Sequence, residues 1–362
     1  MVADAPLTEL PIGPEELGPL ALHAHLAGTG RWERFIYSGP AGGRRYFVYT
    51  PAGYTLDQRV PMVVMLHGCT QTPADSAAGT AWNPLADQQA LIVVYPEQTI
   101  GDNLLTCWNW FLPEHQVRGS GEAGILAGLT QQVLTSDTRW TIDPSRVYVC
   151  GISAGGAMAV ILGATHPDLY AAVGIHAGLE YRAAADPITA RRAMMSGGPD
   201  PVRQGAAAFT AMDGRARLVP TIVFHGTADR VVTPVNGDQV TQQWMEANRL
   251  ATANAYRPDF TRPTTLDSGQ VPQGRAYTVA RWSDERGAVV QEYWRITGMD
   301  HAWSGGSVFG SFTDPQGPSA TEAMWTFFAD HRKERSEETV AAHGARATDA
   351  SAQAEERRTL SP

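Results

Sequence analysis

The stretch from Arg146 to Thr165 constrains this chain more than any other, because a β-type run, a glycine-bracketed turn and a helical run follow there without a gap. Arg146 to Cys150 has the pattern of a strand, Gly151-Ile152-Ser153-Ala154-Gly155 forms the turn, and Ala157 to Thr165 reads as a helix stopped near Pro167. Small residues beside Ser153 allow a strained turn that lifts its hydroxyl clear of a sheet, and the helix N-terminus behind it favours developing negative charge. As a bare glycine turn the same residues would carry no chemistry, so the reading depends on what the rest of the chain supplies.

Around this unit, strand-like and helical stretches alternate. Glu33 to Tyr37, Arg45 to Tyr49, Met62 to Leu66 and Leu91 to Tyr95 read as opening strands, Gly119 to Ser136 as a helix, and Ala171 to Ile175 and Thr221 to Phe224 as later strands. Arg275 to Ile296 reads as a hairpin turning at Ser283 to Gly287, and Ser319 to Asp330 as a last helix. The alternation predicts an α/β protein in three layers, a mostly parallel central sheet flanked by helices. Residues 1–29 read as an accessory segment with a helix over Glu15 to Leu26, 30–331 as the main domain, and 332–362 as a charged tail expected to stay solvated.

Composition removes several functions. A formal net charge of -9, from 37 acidic and 28 basic side chains, argues against nucleic acid as a partner. No run reaches the roughly 18 apolar residues of a membrane span. Met1 to Pro14 carries acidic residues and prolines where an export signal has a basic start and an apolar stretch, so none is read there. Cys69, Cys107 and Cys150 are too few for a disulfide scaffold and lack the CxxC spacing of a zinc site. They leave room for one pair and one buried thiol, and Cys150 reads as buried because it ends the apolar run Val147-Tyr148-Val149. No metal or cofactor is expected.

A serine hydroxyl is a weak nucleophile near neutral pH and needs a base in reach, with a carboxylate to orient that base. For a serine on this kind of turn the chain order is serine, acid, histidine, which leaves His166, His176, His225, His301, His331 and His343. His301 is favoured, since Gly298-Met299-Asp300-His301-Ala302-Trp303 follows the strand run Glu292 to Ile296 and loops at strand ends carry most catalytic groups. Asp229, in the loop after Thr221 to Phe224, is the candidate acid. Asp300 is its rival, but adjacent residues rarely turn two side chains into one hydrogen bond, and Asp238 lies further into a helical stretch. The plain alternatives are a surface histidine and a helix-capping aspartate.

Acyl transfer also needs amide donors for a tetrahedral oxyanion, one from the residue after the nucleophile and one from a loop after an early strand. Leu66-His67-Gly68-Cys69-Thr70 is that loop, so the amides of Cys69 and Ala154 are the expected oxyanion hole. His67, which can serve as a brace, is not assigned to catalysis. Cys107-Trp108-Asn109-Trp110-Phe111 is either core or a substrate wall. Trp108 and Trp110 are therefore candidate substrate-binding residues, together with Trp303 two residues past the candidate base.

Five segments, LHGCTQ at Leu66 to Gln71, CWNWF at Cys107 to Phe111, GISAGGAM at Gly151 to Met158, HGTADRVV at His225 to Val232 and GMDHAWSGG at Gly298 to Gly306, resemble one family. They are similar to the polyhydroxybutyrate depolymerase-like esterases, which include feruloyl and acetylxylan esterases, over residues 31–330. The resemblance implies the α/β-hydrolase fold, a triad of Ser153, Asp229 and His301, a Cys69 amide in the oxyanion hole, and no metal. Family members often pair the two corresponding cysteines, which implies a Cys69–Cys107 disulfide here, and they are commonly secreted. The implied activity is hydrolysis of a carboxylic ester through an acyl-enzyme, on a polyhydroxyalkanoate or its oligomers or on a feruloyl or acetyl ester. A peptidase or amidase using the same triad on a polyamide is the second reading, and a non-catalytic binding protein on the same fold the third.

Overall fold

The computed structural model describes residues 7–10, 28–136 and 138–333. The helix expected over Glu15 to Leu26 lies outside them, as does the tail from 334 onward.

One sheet holds eleven strands: β1 (Thr8–Leu10), β2 (Arg31–Gly39), β3 (Gly42–Thr50), β4 (Val60–Leu66), β5 (Ile92–Pro96), β6 (Ile142–Ile152), β7 (Val173–His176), β8 (Thr221–Gly226), β9 (Thr265–Gln270), β10 (Ala276–Ser283) and β11 (Val289–Ile296). Their order is β1-β2-β3-β5-β4-β6-β7-β8-β11-β10-β9. The strands from β5 to β11 in that order pair in parallel, and antiparallel strands extend both edges. The β4 run VPMVVML and the β5 run IVVYP are buried throughout, as expected of strands covered on both faces.

Alternate residues of the central strands enter opposite cores. Val64 and Val149 pack with Leu126 and Leu129 of α3 (Gly121–Leu134), Val160 of α4 (Ala154–Thr165) and Trp244 of α7 (Val235–Ala251). Met65 and Cys150 face the other way, toward Trp82 and Leu85 of α2 (Trp82–Gln89) and Met324 and Phe328 of α8 (Ala320–Ala329). That two-sided packing makes the three layers. The remaining α-helices among the described residues are α1 (Pro73–Thr80), α5 (Pro187–Ser196) and α6 (Pro201–Met212).

Three details differ from the sequence reading. Helix α4 begins at Ala154 rather than Ala157: the glycines at 155 and 156 are poor helix formers, but here they fit against neighbouring backbone, and packing overrides propensity. The exposed edge strand β9, sequence TLDSGQ, has no apolar alternation to announce it. Within the segment set apart as accessory, Thr8–Leu10 pairs with β2 at the sheet edge.

Candidate active site

Ser153 joins β6 to α4 with φ 58° and ψ −121°, a backbone conformation that side chains rarely adopt and that persists only where the surroundings enforce it. Its amide donates to the His176 carbonyl at 2.9 Å, and its carbonyl accepts from the Ala157 amide at 2.9 Å. The turn closes only around glycine. A Cβ on Gly151 would stand 2.5 Å from the Gly155 carbonyl oxygen, and one on Gly155 would stand 2.2 Å from the Leu66 carbonyl oxygen.

The loops after β8 and β11 lie side by side because those strands pair in parallel, with Gly226 opposite Ile296. His301 Nδ1 donates to Asp229 Oδ2 at 2.7 Å, while Asp229 Oδ1 accepts from the Val231 and Val232 amides at 2.9 Å each. Asp300 turns elsewhere: its carboxylate accepts from the His301 amide at 2.9 Å and the Arg230 amide at 3.2 Å, and these amides hold it below the usual carboxylate range. Asp238 is engaged by the Tyr293 hydroxyl and the Arg295 guanidinium. Ser153 and His301 line one cavity of about 360 Å³.

The loop after β4 closes another side of that cavity. The Gly68 amide donates to Gln71 Oε1 at 2.8 Å and the Thr70 amide to the Leu105 carbonyl at 2.7 Å, while the Cys69 amide between them has no protein acceptor among the described residues. Ala154 opens α4, a position whose amide has no intrahelical partner. Cys69 is bonded to Cys107, which ties this loop to the segment carrying Leu105, Trp110 and Phe111. His67 is fully buried beneath it, with Nδ1 donating to the Gly68 carbonyl at 2.8 Å and Nε2 accepting from the Gln98 amide at 3.0 Å. Burial pushes that imidazole down to about 4, so it stays neutral and serves as a brace.

Of the three tryptophans expected at the substrate, only Trp110 lines the cavity. Trp108 is fully buried, and its Nε1 donates to the His67 carbonyl at 3.0 Å, supporting the loop after β4 from within the core. Trp303 is also buried, stacked 5.0 Å from the His176 ring with Nε1 on Thr321 Oγ1 at 3.1 Å. Closeness in sequence to a site residue does not set side-chain direction: Trp303 pairs with Thr313 in a short two-stranded bridge, and its ring faces inward.

Burial also lowers His176, His225 and His166, and none of the three lines the cavity. His225 lies behind the acid, donating through Nε2 to the Val232 carbonyl at 2.8 Å. Both ring nitrogens of His331 meet backbone carbonyls, and His343 lies outside the described residues. The sequence reading missed Glu122, whose buried carboxylate accepts from Gln98 Nε2 at 2.6 Å, the Asn109 amide at 2.7 Å and Asn109 Nδ2 at 2.9 Å. It anchors the tryptophan loop, but in the sequence it is indistinguishable from an ordinary acidic residue in a first helical turn.

A mostly parallel α/β sheet with a strained serine turn after one strand, and an acid–histidine pair on the loops of two neighbouring strands, defines an α/β-hydrolase. The acetyl xylan esterase from Aspergillus awamori shares the fold, at 17% identity and a TM-score of 0.61, covering 90% of this chain and 100% of that one. Residues 44–266 match the family model described as Esterase PHB depolymerase, and the chain belongs to that family. Its relatives include poly(3-hydroxyalkanoate) depolymerase C of Paucimonas lemoignei, 35% identical over 72% of this chain, and poly(3-hydroxybutyrate) depolymerase of Ralstonia pickettii, 29% identical over 79%. The chain spans 58% of the length of each of these two proteins.

Proposed function

We propose that this protein is a serine carboxylic-ester hydrolase that works through an acyl-enzyme, with an aliphatic polyester of the polyhydroxyalkanoate kind, or its oligomers, as substrate. The observation that carries the proposal is the 2.7 Å bond from His301 Nδ1 to buried Asp229, on a histidine that shares its cavity with Ser153.

In this mechanism Ser153 Oγ attacks the ester carbonyl as His301 Nε2 takes its proton. Asp229 fixes the tautomer that leaves Nε2 free and stabilises the imidazolium. The oxyanion accepts hydrogen bonds from the Cys69 and Ala154 amides. Collapse breaks the ester C–O bond, and the departing alkoxide takes the proton from His301. Water then attacks the acyl-enzyme with the same histidine as base, releasing the acid and restoring the serine hydroxyl.

The polyester reading is supported by the two depolymerase relatives, by the largely apolar cavity, and by the exposed apolar side chains around its mouth. Leu104 and Leu105 stand on one bordering loop, Val308, Phe309 and Phe312 on another, and Val231 beside the acid. The test is a substrate panel of polyhydroxybutyrate, short p-nitrophenyl esters, feruloylated and acetylated xylan and a polyamide, each with a Ser153→Ala control. Hydrolysis of the polyester and short esters, abolished in the folded variant, is expected. Substantial activity in Ser153→Ala, or cleavage confined to the polyamide, overturns it.

A further inference from the structure

Helix α5 presents one face to the active-site cavity. Asp186 caps it through the Ile188 and Thr189 amides, the Thr189 hydroxyl closes a reciprocal bond, and Pro187 occupies the first turn, so its start is firmly set. Pro187, Ala190, Arg191 and Met194, at helical spacing, line the cavity. The opposite neighbours Thr189, Arg192, Ala193 and Ser196 line a second cavity of about 780 Å³.

Arg191, itself exposed, stands at the edge of an apolar wall. Apart from His301 it is the only ionisable side chain among the described residues lining the active-site cavity, since both cysteines there are bonded to each other. Its guanidinium enters no ion pair among the described residues, in a chain whose net charge is -9. A free guanidinium at the edge of an apolar cavity matches a carboxylate, which it can hold through two parallel hydrogen bonds.

Resting on the ester-hydrolase reading, we propose that Arg191 binds the terminal carboxylate of an ester oligomer, making chains that end in a free acid the preferred small substrates. A polyester chain supplies one such group at its acid end, and every cleavage creates another. Arg191 is thus a specificity residue: it touches no reacting bond and acts on where the chain lies across Ser153.

The experiment compares 3-hydroxybutyrate trimer as the free acid and as its methyl ester at pH 8 and low salt, reading the ratio of kcat/KM for the two. In the wild type the ratio should favour the free acid, and Arg191→Gln should lower it about tenfold, mostly through KM. Arg191→Met, which keeps an apolar stem, should lower it as much, whereas Arg191→Lys should retain part of it. Arg192→Gln, on the face toward the second cavity, should leave the ratio alone. A ratio unchanged in Arg191→Gln, or lowered equally in Arg192→Gln, overturns the proposal. Free 3-hydroxybutyrate added during methyl-ester hydrolysis separates the two sources of the carboxylate: inhibition relieved in Arg191→Gln with an unchanged ratio would assign the guanidinium to the released acid, also overturning it. A wild type inactive on both trimers would bring down the ester reading itself, a result distinct from activity on both without dependence on Arg191.

Discussion

Asp229 and His301 are joined by one oxygen of the carboxylate, Oδ2, while the other, Oδ1, is fixed by the amides of Val231 and Val232. The acid is therefore oriented by backbone before it orients the imidazole. An amide at this position could keep the backbone bonds and still fail the histidine, because a side-chain NH2 facing Nδ1 would favour the tautomer with its proton on Nε2.

Asp229→Asn is accordingly expected to fold and to lose about 10³ to 10⁴-fold in kcat with little change in KM. Steady-state kinetics on a p-nitrophenyl ester beside a thermal melt would check it, and a loss below tenfold would remove Asp229 from the triad.

Gly155→Ala should be poorly tolerated, since the added methyl would enter the Leu66 and His67 carbonyl oxygens at 2.2 and 2.6 Å. Both obstacles are backbone, which cannot rotate away, so a loss of about 3 kcal/mol or more is expected from urea denaturation. Gly53→Ala, where nothing stands within 4 Å, is the matched control.

Breaking the Cys69–Cys107 link should affect stability and turnover together. The bond closes a loop between cysteines 38 residues apart, for which chain entropy gives about 4 kcal/mol. Because Cys69 also carries a proposed oxyanion donor, the Cys69→Ala, Cys107→Ala double variant should lose kcat by more than KM rises even well below its melting temperature. Equal kcat for the variant and the parent would detach the disulfide from the hole.

Acid should destabilise the fold through its buried histidines. With His67 and His166 at about 4 when folded and near 6.5 when unfolded, the unfolded chain takes up protons below pH 6.5 that the folded chain refuses. Stability is then complete above pH 6.5 and falls toward pH 4, by up to roughly 3 kcal/mol for each histidine. Urea midpoints measured from pH 7 to 4.5 should decline, and His166→Gln should flatten the decline.

Glu180 works in the opposite direction. Burial, with Asp200 adding to it, pushes its carboxyl up from 4.5 to about 8, and neither oxygen finds a hydrogen-bond partner among the described residues. The folded chain holds a proton there that the unfolded chain has already lost, so its stabilising contribution is full below pH 4.5 and gone as pH rises past 8. Glu180→Gln, which has no charge to bury, should gain up to about 5 kcal/mol over the parent at pH 9 and almost nothing at pH 4.5. Equal stability of the two proteins at pH 9 would contradict it.

How much of this was legible in the sequence follows from the range of the forces involved. The Ser153 turn could be read because strand, glycines and helix are local, and His301 and Asp229 because each sits in a loop directly after a recognisable strand. Sequence left Trp108 open between core and substrate wall and made Trp303 a wall candidate, and both turn inward because side-chain direction depends on partners far along the chain, His67 for one and His176 for the other. Glu122 was missed for the same reason: what marks it is burial against Gln98 and Asn109, and burial has no local signature. Arg191 was equally silent, since an arginine on a helix is ordinary until one sees which cavity its face meets.

Between His176 and Thr221 the chain leaves the sheet and returns on the strand next door, because β7 pairs with β8. That excursion supplies Leu179, Ala190, Arg191 and Met194 to the cavity, while Ser153, Asp229 and His301 all lie outside it. Its two ends are pinned at adjacent points, and its interior contributes wall without reacting groups. Residues 177–220 are therefore the stretch in which substitutions at Leu179, Ala190, Arg191 or Met194 reshape the cavity wall without touching the candidate triad, and its two ends, on neighbouring strands, are where a protein engineer would cut.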